Sequence, residues 1–321
     1  MKPMCKILLT VFLAGVFLSP IPDTRAKDLK VIATIKPLHS LVANVMGNRG
    51  KLDLMVKGGL DPHIYRLRPS NIRQLYKADV IFYIDPNMEI FLKRILARDS
   101  AHLVAIPMAR QKGINLIPYR SRKIWYSDRE NSQRPDKGNK PDLHIWLDPA
   151  NARRMVRIIE ETLSSLDPGH SLTYIRNADA TIARLYRMEE DIREKLRPLR
   201  HKPMIVYHDA FQYFEKAFGL KSIGAILLKS DQMPSVKHIN MLKKLARDKK
   251  ATCVLAMPGA HPRIATVVMS GTKAGFAIVD PLGLYQDKGP ELYFSMMEEM
   301  AQSIVDCQDR GGMFEDFNNL K

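Results

Sequence analysis

The chain has 321 residues, of which 45% are hydrophobic and 26% charged, and its 50 Lys and Arg against 34 Asp and Glu give a formal charge of +16. That length suffices for two lobes of ordinary domain size, and the composition excludes global disorder. The basic residues are spread along the chain among acids, with no aromatic-interleaved RNA motif and no DNA-reading helix, so the charge reads as a solvated surface and nucleic acid is not expected as a partner.

The N-terminus reads as an export signal. Lys2 and Lys6 precede an almost wholly apolar run at 7–18, and Thr24 and Ala26 place small residues where a signal peptidase reads. The run is short for a membrane span, so cleavage is expected after Ala26 and an uncleaved anchor is the alternative. Cys5 precedes the run, whereas a lipidated cysteine would follow it. Without the signal the charge is still about +14.

Short β-branched runs then alternate with amphipathic segments. Runs at 31–35, 52–56, 80–84 and 103–106 predict strands in the first half, with helical patterns at 40–46, 70–77 and 89–97 between and after them. The second half repeats the rhythm, with runs at 204–207, 222–226, 253–256 and 276–279 and helical patterns at 211–218, 236–248 and 264–272. This alternation predicts an α/β protein of two (βα)4-type lobes with mainly parallel sheets.

Between the halves lies a different pattern. Ile175, Ala178, Ile182, Leu185, Met188, Ile192 and Leu196 are spaced by three or four, and Pro168 and Pro198 bracket them. One helix of about 27 residues and roughly 40 Å, joining the lobes rigidly, is expected there, with an ordinary surface helix of one domain as the alternative. The implied division is 1–26 signal, 27–168 N-terminal lobe, 169–198 linking helix and 199–321 C-terminal lobe. Residues 118–142 are polar, basic and aperiodic, and read as a long loop.

Once the signal is gone, Cys253 and Cys307 remain. Cys253 lies in a buried-looking strand and Cys307 ends the amphipathic segment 291–306. In an exported protein a bridge would staple the last helix to the sheet; two free buried thiols are the alternative.

Four residues carry the chemistry. His63, His144, His208 and Asp280 stand in Asp-Pro-His-Ile-Tyr, Asp-Leu-His-Ile-Trp-Leu-Asp-Pro, Val-Tyr-His-Asp-Ala-Phe and Val-Asp-Pro-Leu-Gly. Three imidazoles and a carboxylate make a tetrahedral set for a borderline metal such as zinc. His63, His208 and Asp280 each follow a predicted strand, where open α/β sheets bind ligands. A single histidine is more often a surface or satisfied core residue. His39, His102, His170, His201, His238 and His261 read so, with His39 and then His261 as the nearest spares. Asp209 is expected either to orient a ligand imidazole or to cap the helix after it.

These segments resemble the cluster A-I solute-binding proteins, periplasmic receptors of ABC importers for zinc and manganese. The resemblance runs from about residue 31 to 307. It rests on Ile-Lys-Pro-Leu-His-Ser-Leu-Val at 35–42, Pro-His-Ile-Tyr-Arg-Leu-Arg-Pro-Ser at 62–70 and Ala-Asp-Val-Ile-Phe-Tyr-Ile at 78–84. It continues in the segments around His144, His208 and Asp280. It implies two lobes joined by a long helix, a metal between them held by His63, His144, His208 and Asp280, and a Cys253–Cys307 disulfide. Manganese-type members place a glutamate where this chain has His208, so the resemblance implies Zn2+ as the bound and transported ion.

Three departures are visible. The stretch 118–142 has no histidine, where zinc members often carry a His- and acid-rich loop. Pro62 stands where some members have an acid, leaving Asp61 one residue further back. Met257-Pro-Gly-Ala replaces an expected Glu-Pro-Gln-Phe.

The expected function is therefore a periplasmic binding protein that captures Zn2+ and hands it to a membrane permease for zinc uptake, acting as a monomer and not as an enzyme. A manganese or iron receptor of the same fold is the alternative that His208 argues against. A zinc hydrolase would have three protein ligands and an open water position, and the chain lacks H-E-x-x-H and G-x-S-x-G. An adhesin role through the basic surface is a further alternative.

Overall fold

The computed structural model describes residues 28–57, 62–63, 65–97, 103–120, 140–227, 233–260 and 262–309. The expected export signal, most of the basic loop, Asp61, His102 and His261 lie outside the described residues. Among the described residues no helix is long and apolar enough to cross a membrane.

The N-terminal half builds a parallel sheet from β1 (Lys30–Ala33), β2 (Lys51–Leu54), β3 (Val80–Tyr83) and β4 (Val104–Pro107), in the order β2-β1-β3-β4. The C-terminal half repeats it with β5 (Pro203–His208), β6 (Lys221–Leu227), β7 (Cys253–Ala256) and β8 (Gly275–Ile278), in the order β6-β5-β7-β8. β3 and β7 are buried at every position. That is why they read as continuous apolar runs: helices cover both faces of a parallel sheet.

The N-terminal helices are α1 (Lys36–Met46), α2 (Pro69–Leu75), α3 (Lys93–Leu96) and α4 (Pro149–Leu166). α1 starts four residues before the expected helix. Ile35 is extended at its N-cap and Pro37 falls in the first turn, where a missing N–H leaves no bond unmade. α3 is a single turn after a 3-10 turn at Ile90–Leu92, shorter than the pattern at 89–97 suggests. α4 lies outside the helical patterns expected from periodicity. Its start is nonetheless written in the sequence: the Asp148 carboxylate accepts from Ala150 N at 2.8 Å, and Pro149 takes the first helical position.

The linking helix is α5 (Ser171–Leu196), 26 residues long. Its buried stripe is Tyr174, Ala178, Thr181, Leu185, Met188, Ile192 and Leu196, while Ile175 is 38% exposed. The first turns are therefore rotated one residue from the expected Ile175–Ile182 stripe. Tyr174 turns inward because its hydroxyl finds the Asp167 carboxylate at 2.7 Å. The C-terminal lobe adds α6 (Gln212–Phe218), α7 (Val236–Asp248), α8 (Pro262–Met269) and α9 (Leu292–Asp309). α5 packs against α1 and α4 on one side and α6 and α9 on the other. One hydrophobic core consequently runs through both lobes, from Val31 and Leu41 through Trp146 and Leu185 to Val206 and Phe294. Separate clusters fill the outer face of each sheet.

Cys253 and Cys307 form the disulfide, tying β7 to α9 with Cα atoms 5.9 Å apart. The free-thiol alternative is thereby set aside. Gly275 allows this approach, because a Cβ there would collide with the Cys307 carbonyl.

The lobes are also joined by polar contacts. Lys36 Nζ, in the first turn of α1, donates to the carbonyls of Gly283, Leu284 and Gln286 at 2.7–2.9 Å. Ser40 and Asn44 donate to Pro290 O. Trp146 Nε1 donates to Pro281 O at 2.8 Å, and the Tyr293 hydroxyl donates to Trp146 O at 2.7 Å.

Candidate metal centre

The structure brings three of the four expected ligands together. His63 follows β2, His144 precedes a 3-10 turn at Ile145–Leu147, and His208 is the last residue of β5. A ring nitrogen from each lies within 4.8 Å of those of the other two. Their ring centroids are 5.5 Å apart for His63 and His144, 5.8 Å for His144 and His208, and 6.4 Å for His63 and His208. They line a cavity of about 230 Å³ between the lobes, walled by Met88, Trp146, Tyr207, Met257 and Leu282.

Two of the imidazoles are prepared for a metal in different ways. Both His208 ring nitrogens are buried without a hydrogen-bond partner among the described residues. Burial, with His144 and His63 beside it, pulls its pKa down to about 3. It therefore stays neutral with a lone pair available, the state a metal needs. His144 is oriented. Its Nδ1 lies 2.7 Å from Asp142 Oδ1, and an ionised carboxylate can only accept, so Nδ1 carries the proton and Nε2 is left to coordinate. Asp142 has no exposed surface. Burial works against its ionisation, but the His144 ring, the His144 backbone N–H and Gln212 hold its pKa below the usual range.

Asp142 is the residue the sequence reading missed. Its signal was its place two residues before His144 in Asp-Leu-His, close enough for one carboxylate to meet both the ring and the backbone N–H of His144. Asp209, expected in such a role, makes no hydrogen bond to an imidazole. Its carboxylate lies 3.6 Å from Arg120 Nη1. Nor does it cap a helix, since α6 begins at Gln212 with Phe211 at its N-cap. Arg120 also donates to Glu215 at 2.8 Å and to Gln212 at 3.3 Å, and Gln212 in turn donates to Asp142. A buried polar network thus runs from the foot of the basic loop to the back of His144.

Asp280 is not in the three-histidine group. It sits two residues beyond β8 and its carboxylate accepts from the backbone N–H groups of Leu282 and Leu284. Burial raises its pKa, and those backbone donors oppose the rise. Lys36 faces it. It thereby holds the turn that carries Leu282 and Leu284 into the cavity wall.

The other described histidines stay apart from the site. His39 is buried in α1, and burial pulls its pKa to about 4. His238 is satisfied in the core by Ala225 O at 2.8 Å, and His170 pairs with Asp167.

The family model for ZnuA, described as the periplasmic component A of a zinc-uptake complex, matches residues 31–307. The chain belongs to the ZnuA family. A relative from Brucella abortus (strain 2308), the high-affinity zinc uptake system protein ZnuA, is 31% identical over 330 residues, covering 94% of this chain and 99% of that one. A crystal structure of ZnuA superposes with a TM-score of 0.73 at 24% identity, covering 87% of this chain and 99% of the other. The solute-binding protein FpvC from Pseudomonas aeruginosa, in complex with Mn2+, reaches 0.75 at 19% identity, covering 89% and 100%. At such identities the structural likeness establishes the fold alone. ZnuA-type and Mn2+-complexed proteins share it, so the metal is decided by the side chains in the cleft.

Proposed function

We propose that this chain is a periplasmic receptor that captures Zn2+ between its lobes and delivers it to the membrane permease of an ABC importer. The observation that carries this reading is the convergence of three imidazoles, one oriented by a buried carboxylate, on one interlobe cavity. A histidine-rich set suits zinc, whereas manganese favours carboxylate oxygens. Membership of the zinc-uptake family supports the same ion. His63, His144 and His208 are the proposed protein ligands. Asp280 is proposed as the fourth donor, through a shift of the turn it now anchors.

The role is capture rather than catalysis, because four protein donors complete a tetrahedral shell and leave no position for an activated water. The proposed mature chain starts after Ala26 and acts as a monomer, with lobes 27–168 and 199–321 on either side of the linking segment 169–198.

The test is zinc titration of H63A, H144A, H208A and D280A. A tetrahedral protein zinc site is worth about 10–16 kcal/mol, or roughly 3 kcal/mol per donor, so each histidine variant should lose on the order of a hundredfold or more in affinity. Unchanged affinity in H208A would remove that residue from the site.

A further inference from the structure

Two methionines face the same cavity as the three histidines. Met257 is the first residue beyond β7, at the carboxyl end of the strand where ligands of a parallel sheet collect. Met88 reaches the cavity from the N-terminal lobe and is buried. A methionine from each lobe therefore lines the cavity, and nothing in the zinc reading uses either one. Thioether sulfur is a soft donor with no charge, a weak partner for Zn2+ and a good one for Cu+.

The charges point the same way. The three imidazoles are neutral donors. Asp142 supplies one negative charge behind His144, while Asp280 already faces Lys36 and accepts two backbone N–H groups. With Arg120 and Glu215 cancelling, Asp142 alone balances a monovalent ion, whereas a divalent ion needs a second carboxylate, from Asp209 or Asp280. Uncompensated charge in a buried cavity is costly.

We propose that the interlobe cavity is also a Cu+ site, in which Met88 and Met257 add thioether donors to the imidazoles of His63, His144 and His208. The inference rests on the three-imidazole set proposed above as the zinc site. It makes the two methionines the residues that decide between a soft monovalent and a borderline divalent ion. Binding is ligand exchange at copper(I) with no change in oxidation state, so no oxidant or reductant takes part.

The test is an anaerobic titration of the whole protein with Cu+ against bicinchoninate, in parallel with a Zn2+ titration, for the wild type, M88L, M257L and the double variant. Met→Leu keeps volume and apolarity, so the cavity wall survives. The expected result is one Cu+ per chain, at least a tenfold loss of Cu+ affinity in the double variant, and Zn2+ affinity within twofold of wild type. Copper X-ray absorption should show a sulfur shell that M88L/M257L loses. Failure of the wild type to take Cu+ from bicinchoninate would overturn the proposal, as would equal Cu+ affinity in the double variant. Parallel losses for both ions would assign the methionines to packing and overturn it too. Failure of the zinc reading is separately visible: the wild type would then bind Cu+ but not Zn2+.

Discussion

Removing Asp142 tests whether the buried carboxylate prepares His144 for the metal. Its Oδ1 accepts from His144 Nδ1 at 2.7 Å and from His144 N at 3.0 Å, and its Oδ2 accepts from Gln212 at 3.2 Å. D142A deletes all three bonds, leaves the His144 N–H unsatisfied in a buried place, and frees the imidazole to turn or to protonate the nitrogen that should coordinate. Loss of such an orienting carboxylate lowers metal affinity about 10–100-fold, or roughly 1.4–2.7 kcal/mol. D142N keeps the shape and one acceptor but exchanges a charge-assisted bond for a neutral one, about half as strong. It should lie near the lower end, at about tenfold. The assay is competition with a fluorescent zinc chelator at pH 7.5, with a thermal melt of each metal-free variant to confirm folding. Folded variants that both bind zinc within twofold of wild type would refute the orienting role.

Two further outcomes follow from the fold. The C253S/C307S variant opens a loop of 54 residues, for which chain entropy gives about 4 kcal/mol, so calorimetry should show a melting temperature lowered by roughly 5–10 °C. Glu89 is fully buried, and burial lifts its pKa to about 8, while its Oε2 accepts from Ile84 N and Asp85 N. A carboxyl that keeps its proton in the folded state and loses it at about 4.5 when unfolded contributes stability that is complete below 4.5 and disappears as pH rises through 8. Asp209, raised to about 7 chiefly by burial, acts in the same sense. His39 and His208, with lowered values, act oppositely, but only below pH 6.5, where the unfolded chain takes up protons first. The metal-free protein should therefore lose stability between pH 6.5 and 8, by an amount on the order of a few kcal/mol. E89Q, which keeps an acceptor without a titrating proton, should flatten that slope in urea unfolding measured at both pH values. An unchanged slope would show that Glu89 does not hold its proton.

Much of this protein was written locally in the sequence. β3 and β7 were legible because strands buried on both faces must be apolar throughout, and the linking segment because a 26-residue helix repeats its stripe seven times. His63 and His208 were legible from their places at strand ends. The first turns of α5 were not, because the inward position of Tyr174 depends on an acceptor at Asp167 that periodicity does not weigh. The role of Asp142 depended on the backbone turning so that one carboxylate meets both the ring and the amide of His144.

The sequence by itself determined the fold class, the long connecting helix and the imidazole-rich chemistry, since propensity, periodicity and donor type are properties of residues and their near neighbours. Only the tertiary structure decided which donors share a cavity. It gathered His63, His144 and His208, turned Asp280 into its own backbone turn beside Lys36, and brought Met88 and Met257 from different lobes to one wall. Those distances are set by how two sheets pack across one continuous core, and no window of sequence contains both sides of that contact.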